Sequence, residues 1–240
     1  MTASRLTLDL QGDSLHLSAS AQDYVKAIWK LHEWHHAPET PSSPCVISTS
    51  DLARETGMRT STVSGAISRL ADVGLVTHAP YGGIQLTTEG EIQAIRMLRR
   101  HRIIETYLVR ELGYNWDEVH EEAESLEHAA SNFMINRMEE RLGFPDRDPH
   151  GDPIPDRAGT IPQFDTINLN LVPVGQSVML ARVNDDDTAL LQLLQSHDAM
   201  VDSIITVVSL CADTITVTTS SGTFNLSRAQ ADFVRVSRIA

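Results

Sequence analysis

The segment STSDLARETGMRTSTVSGAISRLADVGLV (residues 48–76) carries two short helical patterns that meet at Gly57. Ser50 is placed as the N-cap of the first helix and Gly57 as its stop. Leu52, Ala53, Val63, Ile67 and Leu70 fall where they can share one small core, which is the pattern of a helix-turn-helix. The second helix, ending at Gly74, presents Arg59, Thr60, Ser61, Thr62 and Ser64 near its N-terminus, with Arg69 further along. These small polar and cationic groups suit phosphates and base edges. LVTHAPYGGIQLT (75–87) then reads as two strands around a Gly-Gly turn, a wing whose Tyr81 is placed to rest on a DNA backbone. An ordinary pair of core helices would show the same apolar spacing. The adjoining wing and Arg69 favour DNA binding.

Before this segment, a helical pattern runs from Ser18 through Tyr24, Ile28 and Leu31 and stops at APETPSSPC (37–45), whose prolines forbid helix. Residues 1–17 form a polar leader, with alternation in RLTLDL (5–10) that suggests an added strand. After the wing, a helical block extends from Thr88 to about Gly143, broken at LGYNWD (112–117). FPDRDPHGDPIPDRAGTIP (144–162) is dense in proline and aspartate and reads as a linker. SVMLARV, SIITVVSL, TITVTTS and FVRVSRI follow as short β-branched strands that suggest a small barrel. The fold class is α+β. The expected boundaries are a leader at 1–17, a winged helix at 18–90, a helical domain at 91–144, a linker at 145–163 and a β domain at 164–240.

The net charge of −13 argues against indiscriminate polyanion binding. Between Ser48 and Arg110, however, eight arginines face six acids, so a locally basic face remains open to DNA. The two cysteines, Cys45 and Cys211, form no CxxC, and no apolar run approaches the ~20 residues of a membrane span. The expected setting is the cytoplasm, with no membrane partner.

EEAESLEHAA (121–130) raises a different question, because it holds four glutamates and a histidine with no lysine or arginine. Acids at helical spacing repel one another by a few tenths of a kcal/mol per pair, roughly. At about 100° per residue, His120, Glu124, Glu127 and His128 share one face, while Val119, Ala123, Leu126, Ala130 and Phe133 fall on the side expected to bury. His101 and Glu105 form another i, i+4 pair one helix earlier. A solvated acidic face would explain any single pair. Two such pairs with almost no neighbouring cations point instead to a divalent metal. HEWHH (32–36) matches the H-E-x-x-H zinc-protease spacing, but Pro38 ends its helix at once and no third ligand follows.

Taken together, SAQDYVKAIWKL, TVSGAISRLADVGLV, HRIIETYL, HEEAESLEHAAS and HGDPIP resemble the diphtheria toxin repressor family of metal-dependent transcriptional regulators, over about residues 18–240. The resemblance implies an N-terminal winged helix, a helical metal-binding and dimerisation domain, and a C-terminal SH3-like barrel. It implies a primary metal site of Asp23, Glu124, Glu127 and His128. It also implies an ancillary site of His101, Glu105 and His120 with a barrel oxygen, for which Asp187 in NDDDT is the expected donor. Iron-responsive members carry methionine and cysteine where Asp23 and Glu124 stand here, so Mn²⁺ is favoured, with Fe²⁺ or another divalent ion as the alternative. A homodimer on palindromic operator DNA, repressing manganese uptake genes, is the implied function.

Two positions depart from the family pattern. Lys26 stands where some manganese regulators carry a glutamate, which favours separate sites over a paired cluster. Gly65 replaces a longer polar side chain on the recognition helix, which makes base readout sparse. A di-metal carboxylate enzyme in a helical bundle is the rival of another class, but it needs Glu-x-x-His on two helices, and the helical block lacks them. A metal-independent interaction module is the second rival.

Overall fold

Leu52 sets the frame of the first helical pair, because it is the first fully buried residue after the insert. The computed structural model describes residues 17–35, 46–79 and 83–239. The leader through residue 16 with its suggested strand, the insert at 36–45 and Tyr81 lie outside the described residues. The chain divides into two compact units, 1–101 with 155–161, and 102–154 with 162–240.

The first unit contains α1 (Ala19–His35), α2 (Thr49–Glu55), α3 (Thr60–Asp72), β1 (Val76–Ala79), β2 (Gly83–Leu86) and the start of α4 (Thr88–Leu112). Ser48, not Ser50, caps α2. The Ser48 hydroxyl accepts the Asp51 N–H at 3.1 Å while the Asp51 carboxylate accepts the Ser48 N–H at 3.0 Å. This reciprocal box satisfies two amide donors that a cap at Ser50 would leave unmatched. Gly57 and Gly74 stop α2 and α3 at φ +64° and +74°, a region costly for residues with a Cβ. Tyr24, Val25, Ile28, Leu52, Val63, Ile67, Leu70 and Ile84 close one core. β1 and β2 pair antiparallel from Val76↔Leu86 to Ala79↔Gly83, and Ile47 adds a bridge to Ile84.

The second unit takes α4 from Arg102 onward, α5 (Val119–Glu127) and α6 (Asn132–Leu142). Ile103, Ile104, Leu108, Val119, Ala123, Ala130 and Ile135 form its helical core. The acidic segment does not run on as one helix. It breaks after Glu127, and the Ser131 hydroxyl starts α6 by accepting the Met134 N–H at 3.2 Å. The new helix axis carries Phe133 outward, 75% exposed rather than buried as its spacing suggested.

The remaining elements are β3 (Ile167–Asn168), a 3-10 turn at Leu169–Leu171, β4 (Ser177–Val183), α7 (Thr188–Ser196), β5 (Ile204–Leu210), β6 (Thr214–Thr219), β7 (Gly222–Ser227), α8 (Arg228–Asp232) and β8 (Val234–Arg238). The six strands form one sheet in the order β3-β8-β4-β5-β6-β7. β3 and β7 stand at its two edges, so the sheet has SH3-like character without closing. Alternate residues Val178, Leu180, Ile205, Val207, Ile215, Val217, Phe224 and Leu226 bury against Leu190, Leu191 and Leu194 of α7.

The expected linker is not a loose spacer. Asp148, His150, Asp152 and Ile154 are buried, Arg147 pairs with Pro153, and the Val183 N–H donates to the His150 carbonyl at 2.9 Å. The prolines keep helix out of this segment, and backbone pairing with β4 gives it a fixed path. Gly151 makes the approach possible: at φ +87°, an added Cβ would lie 2.0 Å from the Ala181 carbonyl oxygen.

Candidate metal centre

In the second unit, α4 and α5 turn Glu105 and His120 toward each other. Glu105 is fully buried in the middle of α4, and its Oε1 lies 3.3 Å from His120 Nδ1. The loop after β4 brings Asp185 Oδ2 to 2.9 Å from the same nitrogen. Asp185 is 5% exposed, an environment in which a carboxylate needs a charged or hydrogen-bonding partner. Glu124 Oε1, one turn along α5, stands 3.7 Å from His120 Nε2. Three carboxylates around one imidazole form a hard donor set suited to a divalent first-row ion.

The carboxylate at His120 is therefore Asp185 and not Asp187. The apolar triplet of α7 fixes where that helix begins, and Asp187 falls on its N-cap, where Oδ1 accepts the Leu190 N–H at 3.0 Å. Asp185, two residues earlier, is left to point inward. The DDD run showed a donor was near but could not show which aspartate the helix start would consume.

At the end of α5, Glu127 is fully buried, and its Oε1 lies 3.7 Å from Nε2 of His128, the C-cap residue. Glu127 and His128 are thus adjacent donors on one helix terminus. In the first unit, Asp23 is half-buried on α1, with buried Lys26 three residues on. His101 is buried on α4, one turn before Glu105.

Two residues that the sequence did not single out join this acidic interior. Glu105 Oε2 lies 3.5 Å from His150 Nδ1, and His150 stacks on Trp116 with ring centroids 5.7 Å apart. Burial pulls the His150 pKa down, but the charge of Glu105 and its hydrogen bond, then Asp148 and Asp185, outweigh it and push it up to about 10. Burial, then the charges of Asp152 and Glu105, raise the Asp148 carboxyl above its ordinary range. HGDPIP was the available signal, visible only as part of a recurring linker.

On α3, Arg59, Thr60, Ser61, Thr62, Ser64 and Arg69 are all exposed. Val63, Ala66, Ile67 and Leu70 occupy the buried side of the same helix. One face of α3 is therefore core, and the other is a continuous polar surface ending in a guanidinium.

Residues 16–84 match the iron-dependent repressor N-terminal DNA-binding domain, residues 87–156 the iron-dependent repressor metal-binding and dimerisation domain, and residues 167–238 the FeoA domain. The iron-dependent repressor IdeR of Mycobacterium leprae (strain TN) is 31% identical over 191 residues, covering 74% of this chain and 83% of that protein. The chain belongs to the diphtheria toxin repressor family. It is a metal-dependent, DNA-binding transcriptional repressor of that family, and its relatives are repressors rather than enzymes. A solved manganese-dependent transcriptional repressor in complex with manganese is 41% identical, with a TM-score of 0.82, covering 91% of this chain and all (100%) of that one. The crystal structure of T. acidophilum IdeR is 26% identical, with a TM-score of 0.76, covering 91% of this chain and 97% of that chain. Among the described residues, no helix is long and apolar enough to cross a membrane.

Proposed function

We propose that this repressor is a cytoplasmic homodimer that Mn²⁺ switches onto palindromic operator DNA to silence manganese uptake genes. Asp23, Glu124, Glu127 and His128 hold the primary ion. His101, Glu105 and His120 hold the ancillary one, with Asp185 as the barrel donor. Arg59, Thr60, Ser61, Thr62 and Ser64 enter the major groove, Arg69 neutralises phosphate, and Tyr81 of the wing rests on the backbone. Metal joins α1 of the DNA-binding part to α5 and so sets the separation of the two recognition helices. Metal and DNA then strengthen each other's binding by the same factor.

The observation that carries manganese over iron is oxygen at positions 23 and 124, where iron-responsive relatives have sulfur. The identity to a solved manganese-dependent repressor supports it. An iron-responsive repressor is the second reading, favoured by the 31% identity to an iron-dependent repressor. Operator binding by the full chain, titrated with Mn²⁺ and with Fe²⁺ under anaerobic conditions, separates the two. Tight binding with Mn²⁺ and weak binding with Fe²⁺ at matched occupancy is expected. Equal operator affinity in chelator and in Mn²⁺ would remove the metal switch altogether.

A further inference from the structure

Asp152 is buried in the HGDPIP segment between two guanidinium groups from different elements of the second unit. Arg102, 2% exposed, reaches it from α4. Its Nη2 lies 3.5 Å from Asp152 Oδ2, and its Nη1 donates to the Pro153 carbonyl at 2.7 Å. Arg182 reaches the same carboxylate from β4, with Nε donating to Asp152 Oδ1. One side chain thus ties α4 to β4 through a segment that belongs to neither.

Arg182 is in place because β4 is irregular. Val178 and Leu180 face the sheet core, and strict alternation would send residue 182 there as well. The register against β8 shifts between Leu180 and Arg182, so Val183 takes the core position and Arg182 turns toward Asp152. A bulge re-aims a side chain in this way. Three residues beyond Arg182, the same chain delivers Asp185 to His120. The path between them is pinned. The Val183 N–H donates to the His150 carbonyl at 2.9 Å, the Asn184 N–H to the Phe233 carbonyl at 3.0 Å, and the Asp186 N–H to Asn184 Oδ1 at 2.9 Å.

The helix α4 therefore meets the end of β4 at two places. Arg102 holds it through Asp152, and one turn along the helix Glu105 lies beside His120, which Asp185 also touches. Burying three charges is a poor way to gain stability, because apolar side chains of the same volume often do as well. What the triad supplies is register, since charge-assisted hydrogen bonds hold only at set positions. A slip of one residue along β4 would move Asp185 by about 3.3 Å, enough to part it from His120.

We propose that Asp152 is a positioning residue: with Arg102 and Arg182 it sets the register of β4 on α4 that brings Asp185 to the His120 donors. This role rests on the reading of Glu105, His120 and Asp185 as parts of one metal site.

Equilibrium dialysis of the full chain with Mn²⁺ tests it in a double-mutant cycle. Asp185→Ala identifies the class of sites concerned by the affinity it loses. Asp152→Asn keeps the shape but not the charge, and should weaken the same class about tenfold, as expected of a group behind the ligands. In the Asp185→Ala background it should cost nothing further, because no donor is left to place. Arg182→Gln should repeat both results, and it carries the test if Asp152→Asn leaves the Arg102 charge too poorly compensated for the chain to fold. An equal loss with and without Asp185 would overturn the positioning role and leave the metal site standing. So would unchanged affinity in a folded Asp152→Asn or Arg182→Gln protein. Unchanged affinity in Asp185→Ala would instead remove the metal-site reading, and this role with it.

Discussion

At His120, two aspartates two residues apart have different duties, and substitution separates them. Asp185 is buried against His120 Nδ1, whereas Asp187 spends its carboxylate on the first turn of α7. Asp185→Ala should weaken metal binding at the His120 donors at least tenfold, roughly, because it removes a direct oxygen donor rather than an outer partner. Asp187→Ala should leave that affinity within about twofold and lower stability by about 1 kcal/mol, the usual cost of a lost N-cap. Metal titration and chemical denaturation of both variants check the assignment. A larger metal defect in Asp187→Ala would reverse it.

At the level of elements, caps and breaks set the boundaries that apolar spacing alone leaves loose. Ser48→Ala should destabilise the DNA-binding part by about 1 kcal/mol, while Ser50→Ala, inside the helix, should cost no more than a few tenths. The expected readout is a lower denaturation midpoint for Ser48→Ala alone. Equal effects would mean that the Ser48–Asp51 box adds nothing. The same contrast explains what could be read from sequence. The helix pair at 49–72, the wing strands and four of the sheet's strands follow from local periodicity, which depends on near neighbours. The short β3 gave a weak local signal because its partner β8 lies far along the chain, whereas β7 pairs with its neighbour β6 and was missed because the polar GTFNLS carries little β-branched patterning. Glu105 and His120 were legible as donors from their own helices. The inward placement of Asp185, Asp148 and His150 was not legible, since only chain reversal at Gly151 and the start of α7 decide where they point.

At the scale of the whole molecule, the proposed manganese response raises the question of how a site rich in oxygen would select an ion that binds most proteins weakly. The divalent series places Mn²⁺ below Fe²⁺ and Zn²⁺ for nearly any set of nitrogen and oxygen donors. Affinity cannot supply the preference, so geometry must. In the proposed primary site, a carboxylate at position 23 would respond to the coordination number an ion demands, and an ion satisfied with fewer ligands would bind without engaging Asp23. Under that proposal, such an ion would occupy the protein without activating it for DNA. Asp23→Met combined with Glu124→Cys exchanges two hard donors for soft ones and should broaden activation toward Fe²⁺ and Co²⁺, with a loss of Mn²⁺ response of about tenfold or more. Metal affinity and operator affinity must be measured separately, because only their ratio distinguishes binding from activation. In the wild type, a tightly bound ion that leaves operator affinity low is the expected signature of a wrong ion. Should the double variant retain the wild-type order of activation, positions 23 and 124 do not set the response, and the ancillary donors around His120 become the place to look.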